Sequence, residues 1–202
     1  MTTNIYSNRG LKKYPENSLD AIENSFKIGF GVKVDVRSSL DGIPMCIHDK
    51  SLWRTHGLKK NVNSLCVGDL KSYGIPTLET VLLLAKEYDK PLLVNIKTQS
   101  TRIYPWVITQ CTALGVPMHI IDIITWTPTI KQQSWEIKLY HGDSRSLYLK
   151  KDIHAYTKYT TKEDTIKRTS KFLSTILSCN NELALRSAME SFGDKYKYVV
   201  KV

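Results

Sequence analysis

Segments rich in β-forming residues alternate along the chain with segments in which apolar side chains recur at every third or fourth position. Because these two patterns are typical of strands and of helices respectively, the chain is predicted to contain both in alternation. The predicted strands are Gly31–Val36, Ile43–Ile47, Pro91–Ile96, Ile120–Trp126, Ile137–Tyr140 and Tyr196–Val202. The predicted helices begin after Ser18 and after Thr77, and are followed by Arg102–Ala113, Pro128–Trp135, Lys162–Ser178 and Glu182–Ser191.

The order of these elements predicts the fold class. The first helix carries Leu19, Ile22 and Phe26 on one face, and Asn17 or Ser18 serves as its N-cap. Strands that alternate with helices of roughly 10–15 residues form βα units and a parallel sheet. A chain of 202 residues is long enough for one hydrophobic core and short for two, so we expect a single α/β domain over residues 1–202.

The formal net charge of +10 changes this picture little, because the lysines are scattered and form no long block. Such a pattern is typical of a solvated basic surface, and nucleic-acid binding is the weakest interpretation. No apolar run approaches the roughly 20 residues that span a membrane, and the N-terminal residues lack the pattern of a secretory signal. Four widely spaced cysteines argue against a zinc site or a disulfide scaffold. We therefore expect a soluble protein in the cytoplasm or another intracellular compartment.

Three clusters of polar residues lie in the first half of the chain. They are Asn8-Arg9-Gly10 with Pro15-Glu16-Asn17, then Lys33-Val34-Asp35-Val36 with Leu40-Asp41-Gly42 and His48-Asp49, then Arg54-Thr55 with Ile75-Pro76-Thr77-Leu78-Glu79 and Asn95-Ile96-Lys97. In residue type and spacing the clusters resemble the glycerophosphodiester phosphodiesterase family. The family pattern is His-Arg-Gly, Pro-Glu-Asn, Glu-x-Asp-Val, Asp-Gly, His-Asp, Arg-Thr, Ile-Pro-Thr-Leu-Glu and Glu-x-Lys, in that order.

The resemblance covers residues 8–97 and implies a TIM-type (β/α)8 barrel with its site at the C-terminal ends of the strands. Eight full βα units normally need about 250 residues, so we expect a barrel that is trimmed or irregular in its C-terminal half. The resemblance also implies a chemistry. In the family, two histidines act as general base and general acid on a phosphodiester, while three carboxylates hold a divalent cation, Mg²⁺ or Ca²⁺, that polarises the phosphate.

The acid and base positions of the family are only half retained in this sequence. Asn8 stands where the family has its general-base histidine, and an amide cannot accept a proton at neutral pH. His48 is retained as the candidate general acid. Arg9 and Lys97 are retained, and Arg9, Lys33 and Lys97 together would offer a cationic cup for a phosphate group. The predicted ligand-binding residues are Arg9, Lys33, Asp35, Asn95 and Lys97.

The metal-binding positions have changed more. Lys33 replaces the first carboxylate and Asn95 replaces the third, so Asp35 is the only retained metal ligand. One carboxylate and one amide do not bind Mg²⁺ or Ca²⁺ tightly, and we expect no bound divalent cation and no other cofactor. Lys33 and Asp35 share one strand face, which predicts an ion pair at the barrel mouth. The competing interpretation is an outward-facing lysine on an edge strand.

Three functions follow from these substitutions. The first is a catalytically degenerate member, a pseudoenzyme, that binds a phosphodiester or phosphate-bearing small molecule or serves as a partner-binding module. The second is an active, metal-independent diester hydrolase of lipid metabolism that cleaves glycerophosphodiesters or phospholipid headgroups. It would need His56 or Asp35 as a base in place of Asn8. The third is a structural protein of an assembly. Trp126, at a predicted strand end, either lines the ligand mouth or packs in the core.

Overall fold

The computed structural model of the chain describes residues 5–97, 101–126, 137–142, 154–159, 162–169 and 174–202. The strands are β1 (Ile5–Asn8), β2 (Gly31–Ser38), β3 (Pro44–Cys46), β4 (Leu92–Ile96), β5 (Ile121–Thr125), β6 (Lys138–Gly142), β7 (His154–Lys158), β8 (Ser174–Cys179) and β9 (Lys197–Val200). The helices are α1 (Leu19–Lys27), α2 (Trp53–His56), α3 (Val67–Ser72), α4 (Leu78–Tyr88), α5 (Ile103–Leu114), α6 (Lys162–Thr169) and α7 (Glu182–Phe192). Short 3₁₀ turns lie at Val62–Ser64, Met118–Ile120 and Gly193–Lys195.

Eight parallel strands close into a barrel within the described part of the chain. β1 pairs with β2, the ring continues through β4, β5, β6, β7, β8 and β9, and β9 pairs back with β1. β3 lies outside the ring as an antiparallel partner of β2. The predicted α/β barrel is therefore confirmed, and its C-terminal half, although less regular, closes onto the first strand.

The barrel wall has two different sides because side chains alternate along each strand. On β2, the side chains of Val32, Val34 and Val36 are fully buried and belong to the cluster that α1 and α4 complete on the outside of the barrel. Lys33 and Asp35, which alternate with the valines, consequently face the barrel interior. This alternation explains how a strand as apolar as β2 can present two charged groups to a buried site.

A layer of apolar side chains fills the barrel interior. It consists of Tyr6, Leu93, Ile124, Tyr140, Tyr156, Ile176 and Val199. At the N-terminal ends of the strands, the Tyr6 hydroxyl donates to Asp122 at 3.1 Å, and Lys197 pairs with the same carboxylate. Burial, and secondarily the Asp122 charge, raise the pKa of Tyr6 well above its usual range, so the hydroxyl stays a donor. This polar cluster lies at the end of the barrel opposite the C-terminal strand ends.

Residues 47–76 form an excursion between β3 and α4 that packs around an apolar cluster of its own. The cluster comprises Met45, Ile47, Leu52, Val62, Leu65, Leu70 and Ile75. Asp41 anchors the excursion, because its carboxylate accepts hydrogen bonds from the Ser39 hydroxyl at 2.5 Å and from the Val67 amide at 3.1 Å. The excursion is thereby held beside the C-terminal end of β2.

One predicted helix is wrong over its C-terminal part. α6 ends at Thr169, and Ser174–Cys179 is strand β8 rather than the end of a helix. Ile176 and Leu177 are both fully buried, and a run of adjacent apolar residues does not distinguish a buried strand from a buried helix. The sequence pattern also does not predict β1 and β7. The predicted helix Pro128–Trp135 lies outside the described residues.

No described helix combines the length and the apolar character that crossing a membrane requires.

The four cysteines are free thiols. Three of them, Cys46, Cys111 and Cys179, are buried, and Cys66 is exposed. Burial raises the pKa of Cys111 and that of Cys179 to about 11, so both thiols stay protonated at neutral pH.

Candidate functional site

The C-terminal ends of three neighbouring strands bring the predicted site residues together. Asn8 is the last residue of β1 and lies opposite Lys33 of β2, while Asp35 of β2 lies opposite Asn95 of β4. Lys97 follows β4 directly. Strand register therefore juxtaposes residues that are up to sixty positions apart in the chain, as the resemblance implied for the barrel mouth.

The Asp35 carboxylate is the centre of this cluster and is fully buried. Its Oδ2 accepts a hydrogen bond from Arg9 Nε at 2.7 Å, and its Oδ1 accepts from Lys33 Nζ at 2.9 Å and from Asn95 Nδ2 at 2.5 Å. Lys97 Nζ lies 3.9 Å from the same Oδ1. The predicted Lys33–Asp35 ion pair is confirmed, and the outward-facing lysine is excluded. We call these five side chains together with Asn8 the mouth cluster.

The cations around Asp35 decide its protonation. Burial alone would raise the pKa of Asp35, but the charges of Lys33, Lys97 and Arg9 outweigh burial and hold that pKa well below its usual range. Asp35 is therefore ionised at neutral pH and is a weak base. Burial also lowers the pKa of Lys97; Asp35 opposes this shift, whereas Lys33 and Arg9 add to it.

The mouth cluster does not fit a divalent cation. Both oxygens of the Asp35 carboxylate already accept hydrogen bonds from cationic side chains, and Lys33 Nζ also donates to Asn8 Oδ1 at 3.1 Å. The ammonium thus lies between two side chains that would flank a metal ion. Mg²⁺ and Ca²⁺ require several oxygen ligands, most of them anionic. Over the described ranges, no three His, Cys, Asp or Glu side chains converge as a set of metal ligands.

The turn after β1 fixes the position of Arg9. Gly10 adopts a φ of +82°, and a Cβ atom at this position would lie 2.5 Å from the backbone of Ala21 in α1, so only glycine allows this close approach. Arg9 and Asn17 also have positive φ angles, of 68° and 59°. The Asn17 backbone N–H donates to the Arg9 carbonyl at 2.9 Å, and the Asn17 side-chain Oδ1 accepts from the Asp35 backbone N–H at 3.1 Å. Asn17 therefore links the turn directly to the backbone of Asp35.

His48 lies near enough to the mouth cluster for the charges of Asp35, Arg9 and Lys97 to act on its pKa, and intermediate residues link it to the cluster by hydrogen bonds. Its Nδ1 lies 2.6 Å from Asp49 Oδ1, and Arg54 links Asp49 to Glu16, which in turn pairs with Arg9. Burial lowers the pKa of His48, although Asp49 opposes the shift. The imidazole is therefore mainly neutral at pH 7. Arg54 pairs with both Asp49 and Glu16 and so links these contacts to one another.

His56, a candidate for the missing base, is engaged elsewhere. Its Nδ1 lies 2.7 Å from the Thr55 hydroxyl, and its Nε2 lies 3.2 Å from the carbonyl of Tyr73 in the excursion. The structure shows no contact between His56 and the mouth cluster. Asp35, the other candidate base, is ionised but strongly stabilised in that form, so it has little affinity for a proton.

Two further residues lie beside the mouth cluster: Trp126, for which the sequence left two interpretations, and Arg37, which the motifs did not single out. Trp126 follows β5, and its Nε1 donates to Asn95 Oδ1 at 2.9 Å while its ring centroid lies 5.7 Å from Lys97 Nζ. The ring packs on Gly142, where any side chain would collide with it. Trp126 is nearly half exposed, so it lines the mouth and is not a core residue.

Arg37 is the second of these residues. Its Nε donates to the His48 carbonyl at 2.8 Å, and its Nη1 donates to the Lys97 carbonyl at 3.3 Å. Arg37 lies two positions after Asp35 on the same strand. Because side chains two positions apart on a strand share one face, the sequence could have predicted that Arg37 lies beside the mouth cluster. Arg37 connects the excursion to the end of β4.

Comparison with known proteins gives consistent results. The model of the "Glycerophosphoryl diester phosphodiesterase family" matches residues 9–176. A glycerophosphodiester phosphodiesterase of Bacillus altitudinis is 32% identical over an alignment of 114 residues that covers 49% of this chain and 46% of the relative. A glycerophosphodiester phosphodiesterase of Caldanaerobacter subterraneus is 31% identical over an alignment of 115 residues that covers 50% of this chain and 46% of the relative. The chain thus spans about half the length of the curated relatives that it matches.

Solved structures match over nearly the whole chain. A glycerophosphodiester phosphodiesterase of Thermotoga maritima has a TM-score of 0.74 at 18% identity and covers 100% of this chain and 95% of its own. A phosphodiesterase of Oleispira antarctica, in complex with the product sn-glycerol-3-phosphate, has a TM-score of 0.73 at 17% identity, with coverages of 98% and 92%. At these identities the structural matches establish the fold.

Replacing the central carboxylate tests the electrostatics of the mouth cluster. We expect Asp35→Asn to lower the free energy of unfolding at pH 7 by about 3–5 kcal/mol, because it leaves buried cations without their counter-charge. The folded-state pKa of Asp35 lies below its unfolded value. Ionised Asp35 therefore contributes its full stabilisation above about pH 4 and less as the pH falls further. The difference in free energy of unfolding between the wild type and Asp35→Asn consequently narrows toward pH 3.

Urea denaturation of both proteins between pH 7 and pH 3 measures this difference. Asp69→Asn, which changes an exposed carboxylate in α3, is the matched control and should change stability little at any pH. An Asp35→Asn protein as stable as the wild type, or a difference that does not narrow in acid, would contradict this description of the cluster.

Proposed function

The chain belongs to the glycerophosphoryl diester phosphodiesterase family, and from that premise we propose that it is a catalytically degenerate member that binds a phosphate-bearing small molecule. The observation that carries the proposal is the Lys33 ammonium, which donates to the buried Asp35 carboxylate at 2.9 Å. The family is generally dependent on a divalent cation. In this chain a fixed side-chain cation takes over part of that positive charge, without the open coordination positions of a metal ion.

The charge of the mouth cluster supports anion binding. Arg9, Lys33 and Lys97 carry three positive charges, and the carboxylates that pair with them are Asp35 and, on Arg9 alone, Glu16, so positive charge remains in excess. Lys97 is only loosely paired at 3.9 Å and its side chain is 21% exposed, so it can turn toward a ligand at little cost. Arginine and lysine side chains recognise phosphate through charge-assisted hydrogen bonds. The product complex of the Oleispira antarctica phosphodiesterase supports the same ligand class.

The substitutions argue against efficient hydrolysis. Loss of a general base typically costs roughly 10²–10⁴-fold in rate, and loss of a metal that polarises the phosphate costs several kcal/mol more. Asn8 accepts a hydrogen bond from Lys33 and has no proton affinity at neutral pH. Neither Asp35 nor His56 is suited to replace it, because one is held ionised and the other bonds within the excursion.

A second candidate is a metal-independent diester hydrolase, and the His48–Asp49 contact of 2.6 Å favours it. A carboxylate that binds Nδ1 orients the imidazole and stabilises its protonated form, as a general acid requires. Burial nevertheless lowers the pKa of His48. Any reaction in which His48 donates a proton would therefore become faster as the pH falls below about 6.5, the ordinary value for histidine.

Ligand binding tests the first proposal. We expect sn-glycerol 3-phosphate to raise the melting temperature and to bind measurably in isothermal titration calorimetry. Lys97→Gln removes one charge-assisted contact and should weaken binding about tenfold. Lys71→Gln, which removes the same charge from the exposed surface of α3, should leave the affinity unchanged. If neither sn-glycerol 3-phosphate nor sulfate binds, the barrel serves as a scaffold and the proposal fails.

Hydrolysis assays separate the two candidates. Glycerophosphocholine and bis(p-nitrophenyl) phosphate are incubated with the protein, with added Mg²⁺ or Ca²⁺ and with EDTA. We expect no turnover that depends on the metal, because the mouth cluster lacks the anionic ligands to hold it. Activity that survives EDTA, rises below pH 6.5 and disappears in His48→Ala would establish the second candidate. Turnover that EDTA abolishes would refute both.

A further inference from the structure

A cavity adjoins the mouth cluster at Lys97. It has a volume of about 940 Å³ and lies between the excursion, the end of β2 and the first turn of α5. The polar and charged residues in the described part of its lining are Arg37, Ser38, Lys50, Asn63, Lys97 and Arg102. Sites for small molecules in proteins commonly have volumes of roughly 300–1,000 Å³. The cavity therefore has the size of a ligand site in its own right.

The lining is strongly basic. Four of the described lining residues, Arg37, Lys50, Lys97 and Arg102, are cationic, and no aspartate or glutamate is among them. Such a concentration of one sign of charge in a concave surface focuses the electrostatic potential and attracts anions. The net charge of the chain alone did not reveal this, because the four residues are scattered between positions 37 and 102.

Arg37 supplies a fixed and poorly neutralised charge. Two backbone carbonyls, those of His48 and Lys97, hold its guanidinium in place. It forms no ion pair with a carboxylate of the described chain. An anion in the cavity would neutralise this charge through charge-assisted hydrogen bonds.

The α5 side of the cavity adds two further features. Its N-terminal end contributes Arg102, Ile103 and Trp106 to the lining, and none of the described side chains caps the helix there. The positive end of the α5 dipole therefore adds to the potential of the four cations. Ile103 and Trp106 provide an apolar wall that can contact the carbon skeleton of a ligand.

Lys97 belongs to both places, since it lines the cavity and lies 3.9 Å from Asp35 in the mouth cluster. We propose that one ligand occupies both, and that it is a small bisphosphate: one phosphate binds at the mouth cluster and the second binds among Arg37, Lys50 and Arg102. The first phosphate position is that of the proposed function, on which this inference rests, and the second phosphate position is new. The volume of about 940 Å³ and the apolar wall of Ile103 and Trp106 favour a compact ligand over an extended nucleic-acid strand.

A series of matched ligands tests the proposal. Propanediol, butanediol and hexanediol are each titrated as the monophosphate and as the terminal bisphosphate. At the chain length that spans the two places, the bisphosphate should bind at least about tenfold more tightly than its monophosphate. The Lys50→Gln/Arg102→Gln variant should lose that gain and keep the monophosphate affinity of the wild type. Lys50→Gln alone, at an exposed position, should lose part of it.

The outcomes distinguish this inference from the proposed function. Lys71→Gln is the charge-matched control, and circular dichroism confirms that each variant is folded. If monophosphates bind but no bisphosphate binds more tightly, the second phosphate site is refuted while the proposed function stands. If no phosphate compound binds, both are refuted. Preferential binding of a single-stranded oligonucleotide that depends on Lys50 and Arg102 would assign the cavity to nucleic acid and overturn the inference.

Discussion

The contact between the Lys33 ammonium and the Asp35 carboxylate, inside the end of a closed barrel, is the interaction on which the rest of this site depends. A buried carboxylate is stable only when paired and hydrogen-bonded, and here Lys33, Arg9 and Asn95 supply those partners. The same contacts occupy three of the roughly four lone-pair positions of the carboxylate. One arrangement therefore stabilises the buried carboxylate and leaves it poorly suited to bind a divalent cation.

The substitutions at the mouth are physically coupled. Once lysine occupies position 33, an amide at Asn8 is a good acceptor for it, whereas a protonated imidazole at that position would repel it. Likewise Asn95 donates one hydrogen bond to Asp35 and accepts one from Trp126, and a glutamate there could only accept. The three replacements thus form a self-consistent network of donors and acceptors.

Much of this arrangement could be predicted from the sequence, because it depends on local rules. The spacing of Lys33 and Asp35 on an apolar strand indicated a shared face, and the motifs indicated which strands meet at the mouth. Features that depend on tertiary register could not be derived in this way. No local sequence pattern indicates that Trp126 donates a hydrogen bond to Asn95, or that Lys50 and Arg102 line the same cavity. The sequence pattern predicts a helix where the structure has strand β8, because adjacent buried residues such as Ile176 and Leu177 fit either element.

Calorimetric titration of Mg²⁺ and Ca²⁺ shows whether Lys33 keeps a divalent cation away from Asp35, when the wild type is compared with a Lys33→Glu/Asn95→Glu variant that has three carboxylates at the mouth. We expect no stoichiometric binding to the wild type and a single site in the variant, since the charge and the oxygen ligands then suit a divalent cation. Stoichiometric binding of either ion to the wild type, lost in Asp35→Asn, would show that the Lys33–Asp35 pair does not exclude the metal.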